Sequence, residues 1–174
     1  MVFLLLAPSA WAKKIEKPER RDISADDRYD LCVRQMKRGS YTKALEHCQK
    51  VRNYYRDDPV SLDAELTIAD IYFKRGDFEQ SRMAYEDFTR LHPRSKKLDY
   101  VVWRTGQAIY RRSSKWAGRD QAPTRQAVNT WTGFDSRFPE SLWKDEVAKL
   151  MGRARDRLAN KELYIARFYA RRGK

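Results

Sequence analysis

The chain of 174 residues and 20.7 kDa has the length of one ordinary domain, which excludes two large independent domains. Its composition, 41% hydrophobic and 35% charged, is too apolar for a disordered chain, and no apolar run is long enough to span a bilayer. The net charge of +13 predicts anionic partners, and the lack of a glycine-rich phosphate loop, a G-x-S-x-G elbow or an H-E-x-x-H pair indicates that the protein is not an enzyme.

The first predicted element is a secretory signal at the N-terminus, Met1–Ala12. An apolar run precedes the tripeptide Ala10-Trp11-Ala12, which fits the small-x-small cleavage pattern. We expect the polar chain that begins at Lys13 to form a linker over residues 13–24. The alternative is a disordered or misassigned N-terminus. Export would place both cysteines of the chain in an oxidising compartment.

A repeat of 37 residues follows the linker. Small residues recur at this spacing as Cys32, Ala69 and Gly106. The phrase K-R-G-x-aromatic occurs twice, also one period apart, around Gly39 and Gly76. A glycine between two amphipathic segments indicates a tight turn between antiparallel helices, in which small residues let the helices approach closely. Each period therefore predicts one helical hairpin.

The same pattern continues through a third unit and then into a single long helix. Nine extra residues around Ser113–Gln121 interrupt the third unit, and we expect them to form a loop. Repeats of this spacing are typical of tetratricopeptide repeats, so we predict an all-α, tetratricopeptide-repeat-like solenoid. Its domain covers residues 25–174, with hairpins at about 25–58, 61–92 and 98–138 and a long helix at 141–172.

The first helix of each unit is the candidate binding surface. In stacked hairpins the first helices line an inner wall, where side chains are not needed to close the hairpin. Projection from the small residues selects nine candidate groove residues: Tyr29, Val33, Met36, Leu66, Asp70, Phe73, Trp103, Gln107 and Tyr110. A base follows the last residue of each set, namely Lys37, Lys74 and Arg111. This combination suits an extended apolar peptide that ends in a carboxylate, whereas the alternative is that the aromatic residues form core and the bases are solvated.

The two cysteines lie on facing sides of the first predicted hairpin. Cys32 and Cys48 are therefore candidates for a disulfide, with two reduced core thiols as the alternative. A zinc site is not expected, because only His47 and His92 are available to supplement them. We assign neither histidine a role and expect no cofactor.

The basic charge is concentrated in the second half of the chain. Residues 1–100 have a net charge of +3 and residues 101–174 have +10. The bases of the last helix are distributed around it instead of along one stripe, which argues against a nucleic acid partner. An acidic protein surface or the phosphates of lipopolysaccharide would be suitable partners. These bases are Arg153, Arg155, Arg157, Lys161, Arg167, Arg171, Arg172 and Lys174.

The second half also contains more specific motifs. The chain resembles the BamD (ComL-like) family of outer-membrane assembly factors over Arg28–Gly173. Three stretches carry the resemblance: LDYVVWRTGQAIY, RDQAPTRQAVNTWTGFDSRFPES and the ending RDRLANKELYIARFYARRG. The resemblance implies a periplasmic, helical-repeat scaffold that works with the barrel-forming insertase BamA on unfolded outer-membrane proteins. Family members carry a lipidated cysteine directly after the signal, where this chain has Lys13, which puts a lipid anchor in doubt. They also continue for further hairpins, so we expect a fragment or a shortened paralogue.

Three functional hypotheses follow. The first is a non-enzymatic periplasmic scaffold of the BamD type, associated with the outer membrane, that binds client peptides and the insertase. The second is another periplasmic repeat adaptor, in envelope division or cell-wall remodelling. The third, a cytosolic RNA-binding repeat protein, requires the signal peptide to be false.

Overall fold

The computed structural model describes residues 23–173, so the predicted signal peptide and most of the predicted linker lie outside the described part. Within that part the regular secondary structure is α-helical, and the expected all-α, tetratricopeptide-repeat-like fold is confirmed. The helices are α1 (Ala25–Lys37), α2 (Tyr41–Tyr54), α3 (Val60–Arg75), α4 (Phe78–Leu91), α5 (Leu98–Arg112), α6 (Ala122–Trp131), α7 (Phe134–Arg137) and α8 (Lys144–Ala170).

The helices pack in neighbouring pairs along the chain. Within residues 23–173, α1 with α2, α3 with α4 and α5 with α6 form hairpins, and each hairpin packs on the next through α2–α3 and α4–α5. The long α8 packs mainly on α6 and also touches α5. It therefore takes the place that the first helix of a following unit has in a repeat array. No helix of the described range is both long and apolar enough to cross a bilayer.

The repeated glycines end the first helices of the first two hairpins. Gly39 and Gly76 have φ angles of +77° and +90°, in the left-handed region that L side chains disfavour. After each glycine a backbone N–H returns to the preceding helix, from Ser40 to the carbonyl of Gln35 at 3.0 Å and from Asp77 to that of Tyr72 at 2.9 Å. This bonding satisfies helix-terminal carbonyls and turns the chain directly into the second helix.

Each hairpin closes at its small residue by a different close contact. In the first, Cys32 and Cys48 form a disulfide with a Cα–Cα distance of 5.4 Å. In the second, the Ser81 hydroxyl donates to the carbonyl of Ala69 at 2.9 Å. In the third, the indole of Trp131 lies on Gly106 and its Nε1 donates to the carbonyl of Trp103 at 3.2 Å.

The inserted segment between α5 and α6 is held by a buried glutamine. The Gln121 side chain is fully buried, and its Nε2 donates to the carbonyls of Ser114 at 3.0 Å and Trp116 at 3.2 Å. Its Oε1 accepts from the Thr124 hydroxyl at 2.7 Å. Because each of these polar groups is satisfied, the segment can pack against the repeat without an unpaired buried amide.

The two halves of α8 differ in burial. Val147, Leu150 and Ala154 are buried in the core that α8 shares with α5 and α6. From residue 162 onward the described side chains of the helix are exposed. Among them are the apolar or aromatic residues Leu163, Tyr164, Ile165, Phe168 and Tyr169.

Two glycines in helices provide a matched test of the close contact in the third hairpin. A Cβ on Gly106 would lie 2.3 Å from Trp131 Nε1, whereas a Cβ on Gly152, in α8, would meet nothing within 4 Å. We expect Gly106→Ala to lower the free energy of unfolding by about 1–3 kcal/mol because it overpacks the contact. Gly152→Ala should raise it by about 0.5–1 kcal/mol because alanine loses less backbone entropy in a helix. Urea unfolding followed by circular dichroism measures both, and equal stability of the two variants would contradict this account.

Removal of the disulfide tests the closure of the first hairpin. The bridged residues are 16 apart in sequence. The double variant Cys32→Ser/Cys48→Ser should therefore lose about 3 kcal/mol of unfolding free energy, because its unfolded chain is no longer constrained by the loop. A reductant should lower the urea midpoint of the unmodified protein and leave that of the double variant unchanged. If the urea midpoint of neither protein responds to reductant, the disulfide does not contribute to the stability of the fold.

Candidate functional site

The predicted groove residues lie where successive first helices meet. The Tyr29 hydroxyl of α1 shares a hydrogen bond of 3.0 Å with the Thr67 hydroxyl of α3. Tyr29 and Met36 also pack, partly buried, on the core cluster around Cys32, and Val33 between them is half-buried. Part of each of these side chains therefore packs between helices, and part remains at the surface.

Leu66 is a core residue, which corrects its assignment to the groove. It is only 6% exposed and packs with Tyr85, Phe88 and Val101 between α3, α4 and α5. Tyr29 and Trp103 occupy the same register position, three residues before the small residue, and are half-buried. We call the surface formed by the other eight predicted groove residues, together with Arg104 and Trp143, the first-helix wall.

Asp70 joins α3 to α5 at the middle of the first-helix wall. Its Oδ1 accepts hydrogen bonds from the hydroxyls of Tyr85 and, at 2.6 Å, Tyr100. The Arg104 guanidinium adds an ion pair, with Nη2 3.2 Å from the same oxygen. A carboxylate with three donors is satisfied inside the protein, so Asp70 has a structural role within the wall.

The network keeps both phenols neutral and Arg104 charged. Burial, together with the negative charge of Asp70, raises the pKa of Tyr85 well above its ordinary value, and the same causes raise the pKa of Tyr100. Burial acts against the charge of Arg104, but the surrounding Tyr85, Asp70 and Tyr100 outweigh it and raise the pKa of the guanidinium. The wall therefore holds a fixed guanidinium, paired with the Asp70 carboxylate, next to its aromatic rings.

Arg104 is a residue of the wall that the sequence analysis missed. Its guanidinium carbon lies 3.9 Å from the ring centroid of Phe73 and 5.4 Å from that of Trp103. Its Nη1 donates to Gln107 Oε1 at 2.6 Å. The sequence did contain a signal for this contact, namely the opposite charges of Asp70 and Arg104. Their separation is about one helical turn shorter than the repeat period, which places the two residues on adjacent first helices.

Trp103 is covered by the start of α8. Its ring stacks on that of Trp143 with centroids 4.1 Å apart and planes at 8°, and Tyr100 lies 5.6 Å from both rings. The Trp103 indole Nε1 is buried and meets no acceptor within residues 23–173. This tryptophan is therefore in part a packing residue, as the alternative interpretation expected for the aromatic positions.

The three predicted bases lie at equivalent C-terminal ends of α1, α3 and α5, and all are exposed. Lys37 is the last residue of α1, Lys74 lies in the last turn of α3 and Arg111 in that of α5. Arg111 borders a cavity of about 410 Å³ between α5 and α8, which Gln107 and Tyr110 also line. Two predicted groove residues of the third unit thus also line this basic cavity.

His92 contributes to packing. Its Nε2 lies 2.8 Å from Glu65 Oε2 of α3, and its ring packs on Phe88 with centroids 4.7 Å apart. The histidine thereby ties the end of α4 to α3.

Asp70 provides a test of the contact between first helices. We expect Asp70→Asn to lower the free energy of unfolding by about 2 kcal/mol, because the hydrogen bonds lose their charged acceptor and Arg104 loses its counterion. The control Asp87→Asn breaks an ion pair with Arg90 whose side chains are 58% and 74% exposed, and should cost less than about 1 kcal/mol. Urea unfolding of both variants measures the difference, and equal losses would contradict a structural role of the network.

Comparison with known proteins places the chain among envelope proteins. Residues 21–174 match the family described as YfiO, outer membrane lipoprotein. Curated relatives are named outer membrane protein assembly factor BamD. The protein of Neisseria gonorrhoeae is 24% identical over 162 residues, which are 88% of this chain and 61% of the relative. The protein of Vibrio cholerae is 24% identical over 160 residues, 87% of this chain and 66% of the relative. That of Pasteurella multocida is 24% identical over 172 residues, 92% of this chain and 64% of the relative.

The chain spans about three fifths of the length of the first of these relatives. Their name describes an assembly factor, in agreement with the expectation that this protein is not an enzyme. The family match covers the whole described range and includes the C-terminal motifs that carried the resemblance. The chain therefore belongs to the YfiO family, the BamD-like family of outer membrane lipoproteins.

Proposed function

We propose that this protein is a non-enzymatic periplasmic scaffold that helps assemble β-barrel proteins into the outer membrane by binding client peptides. Family membership and the name of the relatives support the assembly role. The observation that carries the binding proposal is the first-helix wall, where half-buried apolar and aromatic side chains border exposed bases.

The chemistry of the wall suits an extended apolar peptide. Val33, Met36 and Phe73 are half-buried, so part of each side chain remains available for contact. Lys37 and Lys74 stand beside them as exposed cations that can bind a terminal carboxylate. An unfolded barrel strand has alternating apolar side chains, which a groove of this kind can take up while the bases select its end.

The partner surface of this proposal is the C-terminal half of α8. Leu163, Tyr164, Phe168 and Tyr169 are exposed there, and the Arg172 guanidinium lies 4.1 Å from the Phe168 ring centroid. Apolar rings bordered by bases fit a protein partner with an apolar, acidic surface. We assign this surface to the barrel insertase on that chemistry. The resemblance to the BamD family implies the insertase as a partner and a location on the periplasmic side of the outer membrane, but it does not assign the surface.

Peptide titration tests the groove. A fluorescently labelled peptide from the last strand of an outer-membrane barrel protein should bind Phe73→Ala about tenfold more weakly than the unmodified protein, because the peptide loses an aromatic contact on the wall. The matched control is Trp116→Ala, which removes a 59% exposed aromatic ring in the loop between α5 and α6. It should leave affinity unchanged. Circular dichroism checks that both variants keep their helicity.

A second variant covers the case in which Phe73→Ala disturbs the fold. Lys37→Gln/Lys74→Gln changes exposed side chains only, and should weaken the free-acid peptide several-fold while leaving the C-terminally amidated peptide unaffected. If neither variant changes peptide affinity, the groove proposal is wrong. Recovery of cell-wall enzymes without a barrel insertase in co-purification would favour the envelope adaptor instead.

A further inference from the structure

A basic cavity lies beside the first-helix wall, between the end of α5, the inserted segment and α8. Its volume is about 410 Å³. Four bases line it: Arg111 and Lys115 come from α5 and the segment after it, and Arg153 and Arg157 come from successive turns of α8. Glu146 is the single acidic side chain among its lining residues. Cations thus border the same space from two sides, with one carboxylate to offset them.

Arg157 is held in place before any ligand binds. Its Nη1 donates to the Ser113 hydroxyl, which itself donates to the carbonyl of Tyr110 at 2.6 Å. The guanidinium carbon lies 4.2 Å from the centroid of the Tyr110 ring. The hydrogen bond and the ring fix the plane of the guanidinium, so a ligand does not have to order this side chain.

The excess of charge indicates the class of ligand. Four like charges around one cavity repel each other, and an anion within it removes that repulsion. A single carboxylate brings one negative charge, whereas a phosphate monoester brings about −1.5 to −2 at neutral pH. Three of the four bases are arginines, whose planar forks match the oxygens of phosphate in bidentate hydrogen bonds.

We infer that this cavity is a binding site for a phosphate monoester, with Arg157 as its preoriented cation and Arg111, Lys115 and Arg153 completing the charge. The phosphate can belong to a membrane headgroup or to a soluble molecule, since the chemistry of recognition is the same. The cavity shares Gln107, Tyr110 and Arg111 with the third unit of the predicted peptide groove, whereas Lys37 and Lys74, at the first and second units, do not line it.

The experiment uses the purified protein and two probes. Isothermal titration calorimetry with glycerol phosphate measures the soluble form, and co-sedimentation with vesicles of equal parts phosphatidylcholine and phosphatidic acid measures the lipid form. We expect Arg111→Gln/Arg153→Gln to weaken binding about tenfold, because two charge-assisted contacts are lost while Arg157 keeps its packing on Tyr110. Both substituted side chains are exposed, so the fold should be retained.

The charge-matched control is Lys43→Gln/Arg56→Gln, which removes two exposed bases, on α2 and in the turn after it. It should bind both probes as tightly as the unmodified protein.

Vesicle binding that glycerol phosphate displaces would identify a lipid phosphate, and binding of glycerol phosphate alone would identify a soluble one. Equal weakening in the two double variants would overturn the proposal, because it would show attraction by net charge. The proposal would also be overturned if neither phosphate probe binds. If, in addition, the affinity for a peptide with a free terminal carboxylate depends on Arg111 and Arg153, the cavity is a peptide subsite instead.

Discussion

The close approach of two helices at one small residue per hairpin is the constraint on which the rest of this structure depends. Cys32, Ala69 and Gly106 occupy the same register position and are each buried, but the contact across the hairpin differs: a disulfide, a serine hydroxyl on a carbonyl, and an indole on a glycine. A side chain larger than the site allows would separate the helices. Because both helices are then closely packed, the side chains beside the small residue point toward the neighbouring unit and toward the surface.

This arrangement explains why the first-helix wall is both a packing surface and a candidate binding surface. Asp70 of α3 and Arg104 of α5 join successive units, and their network is fully formed within the described part of the chain. Arg104 also contacts two half-buried residues of the wall, because its guanidinium lies over the Phe73 ring and donates a hydrogen bond to Gln107. A wall that is ordered in this way loses little entropy when a peptide binds, which suits the proposed peptide-binding role.

The two proposed sites draw on different positive charges of the protein. Along the wall, Lys37 and Lys74 are solvated and can respond to a chain terminus, whereas Arg104 is fixed by Asp70. In the cavity, Arg157 is held by Ser113 and Tyr110. The inserted segment between α5 and α6 therefore supplies part of the proposed phosphate site, in addition to connecting two helices.

The sequence by itself determined the repeat, because its period, turn glycines and small residues all follow from local helix geometry. It also brought Cys32 and Cys48 to facing sides of one hairpin, although only the tertiary structure joined them. The tertiary structure alone decided that Leu66 is core, and that Trp143 covers Trp103. These outcomes depend on how far each side chain reaches between units and on where α8 docks, and neither quantity is encoded in the spacing of residues along a single helix.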